Sequence, residues 1–359
     1  MYKEEHYVAW LHSIEGIGNA TMRKILKETC AKDVYNENIN RYKEKFNLKE
    51  KVVENIIVSK KENKIGKIRE IIDRYEIKVI GIRDNEYPEL LRNIYNPPTV
   101  LYVRGSIEKE KCDIISIIGS RRASTYGRTM AYKISKELSD RGITIGSGMA
   151  RGIDTVAHRA CVENGGRTYA VLGTGVDVCY PHENKSLMEK IIENGAIISE
   201  FPIGTKPRPE NFPMRNRIIS GIAKGVIVIE AALKSGTLIT VDHALEQGRE
   251  VFALPGHVTA LLSGGTNKLI QSGAKLVTCV DDILEELQLE NIYNKKKNEV
   301  SLSDSEKEIY EYIKDNQPVS IEKIEKDKKW NIQNISTILT FLELKGVLET
   351  LPGNKFFIK

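Results

Sequence analysis

The chain has 359 residues, of which 41% are apolar and 29% charged, with a formal net charge of +5. It is longer than one ordinary domain and too apolar for a disordered or fibrous chain, so two or three globular units are expected. No run of about 18 apolar residues occurs and MYKEEHYVAW at the N-terminus has no hydrophobic signal segment, so no membrane insertion and a cytoplasmic location are expected.

Residues 1–75 read as helices, with Ile25, Leu26, Val52, Val53, Ile56, Ile57, Ile68, Ile71 and Ile72 at helical spacing against Lys/Glu faces. From 76 to 290, short β-branched runs alternate with helical stretches, the pattern of a largely parallel sheet. The runs are KVIGI (78–82), TVLYV (99–103), IISIIG (114–119), ITIG (143–146), TYAVLG (168–173), AIIS (196–199), GVIVIE (225–230), EVFALP (250–255) and AKLVT (274–278). Such nearly continuous apolar runs imply strands covered on both faces. Residues 291–302 (NIYNKKKNEVSL) read as a lysine-rich linker. Residues 303–359 open with a cap at Ser303 or Asp304, carry three helical patterns and end in two short strands around a Pro-Gly-Asn turn, which spells a winged helix. The expected class is therefore α/β: an extended Rossmann-like parallel or mixed sheet, a small helical N-terminal domain (1–75) and a C-terminal winged helix. Cys30, Cys112, Cys161, Cys179 and Cys279 are odd in number and never in CxxC spacing, so they read as reduced thiols.

The net charge says little about a polyanionic partner, because residues 81–294 balance acidic against basic side chains. A nucleic-acid case must rest on where particular arginines sit. In a parallel sheet, ligands collect at the carboxyl ends of the strands, where helix N-termini present unpaired N–H groups. Three loops fit that description. In IIGSRRASTYGR (117–128), Gly119 ends a buried strand and lets backbone approach an anion, and a helix starts near Thr125. Ser120 and Ser124 offer hydroxyls there, and Arg121 and Arg122 supply guanidinium forks suited to phosphate. GSGMARGIDTVAH (146–158) repeats the strand–turn–helix arrangement. In it Arg151 can reach a phosphate, Asp154 can cap the helix or orient an arginine, and His158 reads as a packed histidine rather than a catalytic one.

The third loop, residues 199–240, presents Lys206 and Arg208 on a Pro-punctuated stretch and then FPMRNRII at the start of a helix. Arg215 and Arg217 are two apart and point to different faces; one is expected to reach the ligand and the other to lock the fold. Phe212 reads first as a core plug and second as a stacking platform for a base. Ser235, Gly236 and Thr237 begin another helix, a further anion-binding N-terminus. No GxxxxGK[ST], complete GxGxxG, GxSxG, HxxxH or HExxH occurs, so phosphate binding without cofactor, metal or catalysis is the reading.

The ordered set GSRRASTYG, SGMARGID, YPHEN, SEFPIGTKPRPENFPMRNRIISG, EAALKSGTLIT and GREVFALPG resembles the DNA-processing protein A (DprA/Smf) family. VAWLHSIEGIGNATMRKILKET (8–29) is similar to that family's sterile-alpha-motif-like, helix-hairpin-helix-type domain. The resemblance implies a non-enzymatic protein that binds and protects single-stranded DNA, forms a homodimer through the Rossmann-like domain and helps load the RecA recombinase in natural transformation. By position, Gly119, Ser120, Arg121 and the basic residues of FPMRNR would hold DNA phosphate. The winged helix resembles the family's third domain, but its recognition helix near 331–345 has little basic charge, against duplex reading. The competing reading is a nucleotide-hydrolysing enzyme like the Lonely Guy family, whose GGxGTxxE signature carries a catalytic glutamate. Here Thr240, in Ser235-Gly236-Thr237-Leu238-Ile239-Thr240, stands where that glutamate belongs.

Overall fold

The computed structural model describes residues 1–108, 112–289, 303–328, 330–345, 347–351 and 355–358. The expected linker at 291–302 and the Pro-Gly-Asn turn at 352–354 lie outside the described residues. Residues 1–289 make one compact unit and 290–359 a second. Among the described residues no helix is long and apolar enough to cross a membrane.

The chain opens with helices α1 (Glu4–His12), α2 (Asn19–Glu28), α3 (Ala31–Asn36), α4 (Ile39–Phe46), α5 (Glu50–Lys61) and α6 (Lys64–Tyr75). Their apolar stripes converge on Trp10, which is wholly buried. Its indole N–H donates to Ser59 Oγ at 3.0 Å and its ring meets Tyr35 edge-on at 4.8 Å, so the polar end of the largest core side chain is satisfied. Ile57, counted with the apolar stripe, instead points outward and is 41% exposed. The helices are fastened to the sheet. Asn19 Oδ1 accepts from Thr99 N at 2.7 Å, and His12 stacks on Tyr102 with Nδ1 3.1 Å from its hydroxyl. One hydrophobic core accordingly runs from Trp10 and Ile56 to Val100 and Tyr102.

Each of the nine β-branched runs becomes a strand: β1 (Lys78–Gly81), β2 (Val100–Gly105), β3 (Ile114–Ile118), β4 (Thr144–Ser147), β5 (Thr168–Val171), β6 (Ala196–Ser199), β7 (Gly225–Val228), β8 (Glu250–Ala253) and β9 (Lys275–Leu276). They form one sheet in the order β1-β2-β6-β5-β4-β3-β7-β8-β9. β2 is antiparallel to both β1 and β6, and the remaining pairs are parallel. Helices α7 (Glu89–Arg92), α8 (Thr125–Asp140), α9 (Ile153–Glu163), α10 (Lys185–Glu193), α11 (Asn211–Gly221), α12 (Thr237–Glu246), α13 (Gly264–Gln271) and α14 (Asp281–Glu286) make the connections or follow the last strand. β3 and β7 are neighbours whose crossovers leave in opposite directions, β3 through α8 to β4 and β7 through α12 to β8. That reversal opens a crevice at the carboxyl ends of β3 and β7, the standard ligand position in an open α/β sheet.

The second unit contains α15 (Asp304–Asn316), β10 (Val319–Ser320), α16 (Ile321–Lys328), α17 (Ile332–Leu344), β11 (Leu348–Leu351) and β12 (Lys355–Ile358), with strand order β10-β12-β11. Of the two caps considered, Ser303 is the one used. Its Oγ accepts from Glu306 N at 3.3 Å, and Glu306 Oε2 accepts in turn from Ser303 N at 2.7 Å, the reciprocal capping box. Ile309, Ile313, Ile324, Ile335, Leu339 and Leu342 bury the helices against Leu348 and Phe356.

If Trp10 anchors the helical layer, Trp10→Ala should lower the unfolding free energy by about 3–5 kcal/mol. Urea denaturation of the full chain measures it, and a loss below about 1 kcal/mol would place the core elsewhere.

Candidate nucleic-acid interface

The crevice at the β3–β7 reversal is a cavity of about 460 Å³. The loop after β3 supplies Gly119, Ser120, Arg121 and Arg122. The turn into α9 supplies Ala150 and Asp154, α11 supplies Phe212, Pro213, Arg215 and Asn216, and the start of α12 supplies Ser235, Gly236, Thr237 and Thr240. Nine of the residues singled out from sequence thus meet around one space: Gly119, Ser120, Arg121, Arg122, Phe212, Arg215, Ser235, Gly236 and Thr237. The first two loops are pressed together backbone to backbone. Ile153 N donates to Ser120 O at 3.2 Å, and Gly152, at φ +80°, leaves no room for a Cβ, which would lie 2.2 Å from that carbonyl oxygen.

Arg215 forms part of the cavity wall. It is 3% exposed, and its Nη1 donates to Gly148 O at 2.8 Å and to Val171 O, while Nε donates to Asn216 Oδ1 at 3.3 Å. Gly148 has to be glycine for this, since a Cβ there would sit 2.7 Å from the guanidinium. Burial lowers the Arg215 pKa to about 10 against the pull of Asp154, and Arg121 lowers it further. The group stays charged at neutral pH. Arg121 is exposed and lies 5.6 Å from the centre of the Phe212 ring; Arg215 lies 6.0 Å from the same ring. Phe212 is therefore not the core plug first expected. It is half-buried, wedged against Gly173 and Tyr180 (ring centres 5.5 Å apart), and turned toward two guanidinium groups.

The choice between Arg215 and Arg217 is resolved by a carboxylate. Arg217 donates to Glu200 through Nη1 at 2.8 Å and Nη2 at 2.5 Å, with both side chains nearly buried, and it does not line the cavity. Burial pushes the Glu200 carboxyl up and Arg217 pulls it back. Arg217 locks the fold, and Arg215 faces the space. Arg151 is also committed: its Nε and Nη2 each donate to Glu183 at 2.7 Å, outside the cavity lining, and this pairing raises Arg151 and lowers Glu183. Lys206 and Arg208 are exposed on the 200–210 loop and do not line the cavity either.

Ser124 corrects a second expectation. It caps α8, accepting from Gly127 N at 3.1 Å, and its own N and Oγ donate to Glu230, which is 3% exposed. At the N-terminus of α8 the Ser124 hydroxyl is thus spent on a buried glutamate belonging to the protein rather than left for a ligand. The N-terminus of α12 is the one that opens into the cavity. There Ser235 Oγ accepts from Thr237 N at 3.2 Å and donates to Thr237 Oγ1 at 3.0 Å, shaping the turn.

Sequence reasoning did not assign Glu230 or Asn216 to this region, and named Thr240 only as standing where a hydrolase would carry glutamate. An acid closing the otherwise apolar GVIVIE was the one available signal. Asp154 was placed correctly, near an arginine, but its setting was not foreseen. It is 7% exposed, and burial raises its carboxyl to about 6 against the pull of Arg215. His158 is the packed residue expected. It is wholly buried with Nδ1 2.7 Å from Thr168 Oγ1, and burial pushes it down to about 3, so it is neutral.

Fold and site together define a doubly wound sheet with an arginine-walled cavity at its reversal point, in a chain that also carries a winged helix. The model for DNA recombination-mediator protein A matches residues 78–288, and that for the DprA winged helix domain matches 294–354. The chain belongs to the DprA/Smf family of DNA-processing proteins. It is 45% identical to DNA processing protein DprA of Streptococcus pneumoniae over 208 residues, covering 58% of this chain and 73% of that protein. It is 44% identical to the Bacillus subtilis protein over 217 residues, covering 60% and 73%. The X-ray structure of the Streptococcus pneumoniae protein superposes with a TM-score of 0.68 at 35% identity, over 80% of this chain and 99% of that one. DNA processing protein A of Helicobacter pylori, described by its single-stranded DNA binding mode, superposes at 0.54 with 26% identity, over 61% and 98%.

A carboxyl raised from 3.8 to about 6 on folding contributes stability that is present below the unfolded value and lost as pH rises through the folded one. Asp154→Asn should therefore melt close to wild type near pH 4 and above it at neutral pH, by at most about 3 kcal/mol. Thermal melts across pH test this, and a variant equally destabilised at every pH would refute it.

Proposed function

We propose that the chain holds single-stranded DNA in this cavity without chemical turnover, protects it and passes it to the RecA recombinase during DNA processing, including natural transformation where the host supports it. The observation that carries this reading is Phe212 with the guanidinium groups of Arg121 and Arg215 on its ring, beside the open N-terminus of α12. A phosphate fits the cationic side, and a splayed base fits the aromatic face. Duplex DNA buries its base faces in the stack and so could not use Phe212. The Helicobacter pylori relative, described as binding single-stranded DNA, supports the choice. The winged-helix unit does not point to duplex reading, because α17 carries neither Lys nor Arg. Homodimerisation through the sheet unit would place two such cavities on one strand and raise avidity by effective concentration.

The hydrolase alternative is weakened by Thr240, which lines the cavity with a hydroxyl where the Lonely Guy signature has glutamate. Free adenine appearing on incubation with AMP would revive it.

Anisotropy titration of labelled oligo-dT across a salt series is the direct test. Arg121→Ala should weaken binding by roughly tenfold and reduce the log Kd against log salt slope by about 0.7, one phosphate contact on a single strand. Wild type should prefer the single strand to blunt duplex of equal length. Unchanged affinity and slope in the folded variant would remove Arg121 from the interface, and equal binding of duplex would overturn the single-strand reading. Loading is tested separately, by whether the protein accelerates RecA filament growth on the strand.

A further inference from the structure

The cavity that would take a phosphate already contains a buried carboxylate. Asp154 lies in the first turn of α9, is 7% exposed and lines the same space as Arg121 and Arg215. An ionised acid in that position opposes any incoming anion, and it also attracts the buried cation beside it. Arg215 is a buried cation whose hydrogen-bond partners are neutral groups, the carbonyls of Gly148 and Val171 and the Asn216 side chain. Attraction between that cation and the ionised carboxyl recovers part, though not all, of the cost of burying the negative charge. Asp154 is the acid whose attraction acts on Arg215. Above about pH 6 it is a resident negative charge in the empty pocket, held there at a net cost by burial.

We propose that strand binding is linked to protonation of Asp154: the phosphate displaces the resident negative charge, and the strand is held more tightly when Asp154 carries a proton. This rests on the reading that the cavity binds a DNA phosphate. Few groups facing Asp154 can imitate the effect. Arg215 on α11 and Arg121 on the loop after β3 keep their charge across the range. His158, one turn along α9, is neutral and wholly buried. The remaining cavity groups at the start of α12, Ser235 and Thr237, do not titrate there. Neither the phosphodiester nor thymine titrates between about pH 5 and 8. The free carboxyl, held near 6, lies within reach of such a linkage. With a phosphate beside it the value rises further, so the gain in affinity is complete below about pH 6. It is lost as pH climbs through the higher, bound-state value.

The experiment is a set of oligo-dT titrations of the full chain from about pH 5 to 8 at fixed ionic strength, with wild type, Asp154→Asn and Arg121→Ala. The histidines are common to all three proteins, so their contribution cancels in the comparison. A bound-state rise of one pKa unit corresponds to about a tenfold change in Kd. Wild type should weaken by about that factor as pH rises, whereas Asp154→Asn should bind at every pH about as tightly as wild type binds at the acid end. Calorimetry in two buffers of different ionisation enthalpy should show proton uptake on binding by wild type near pH 6.5 and none by Asp154→Asn. Parallel pH profiles for the two proteins, or uniformly weaker binding by a folded Asp154→Asn, would overturn the linkage while leaving the DNA-binding reading intact. Failure of wild type to bind oligo-dT at any pH would overturn both.

Discussion

A buried guanidinium at the point where the sheet reverses is the constraint on which the rest of this site depends. Arg215 can be charged inside the protein only because its surroundings are polar in the right places, and each neighbour fixes a piece of backbone. Its Nη1 bonds reach the carbonyl of Gly148, beyond β4, and of Val171, in β5, so one cation ties two adjacent strand ends to α11. Gly148 lacks a side chain because a Cβ would occupy the space of the guanidinium. Asn216, the next residue on the helix, accepts from Nε, and Phe212, three residues earlier, covers one side. Replacing Arg215 would remove the donor from two buried carbonyls, so the residue is structural as well as part of the cavity wall.

The second organising feature is a division of labour among helix N-termini and arginines. α8 and α12 both begin at the crevice, and both would attract an anion by their unpaired N–H groups. The fold fills one with Glu230 through Ser124 and leaves the other open. The arginines are sorted in the same way. Glu200 holds Arg217 in a nearly buried pair and Glu183 meets Arg151 in an exposed one, while Arg121 and Arg122 stay exposed beside the cavity. A stretch whose charges balance overall, residues 81–294, can thus still present unpaired arginines at one place, because acids pair with arginines selectively rather than evenly.

This sorting explains what was legible in the sequence. The nine strand positions could be read because buried parallel strands need continuous β-branched runs, and each of those runs forms a strand. The reversal loops could be read because Gly-rich turns with arginines serve few other purposes. Arg151, Ser124 and Arg217 could not be told from Arg121 and Arg215, since their partners Glu183, Glu230 and Glu200 are 32, 106 and 17 residues away in the chain. Local motif reading finds the arginines but cannot see the acids that claim them. Phe212 was misread for a related reason. An aromatic in an apolar helix face is ordinarily core, and only the convergence of two loops from other strands turns its ring toward cations.

Few exposed cations remain at the cavity, and this shapes how such a protein can hold DNA. With Arg151 and Arg217 already paired, a single pocket offers Arg121, Arg122, the partly neutralised Arg215 and the N–H groups of α12. If the cavity takes a strand as proposed, that would suit one or two phosphates and one stacked base, a weak contact by itself. Weakness of this kind suits a mediator. A strand gripped at separated points can be peeled away one contact at a time by an incoming recombinase, whereas a continuous basic groove would compete with it along the full length. On the proposed reading, affinity would come from repetition, through two or more pockets engaging the same strand. Effective concentration rather than contact strength sets the hold, and loss of a single pocket releases a segment without freeing the whole strand.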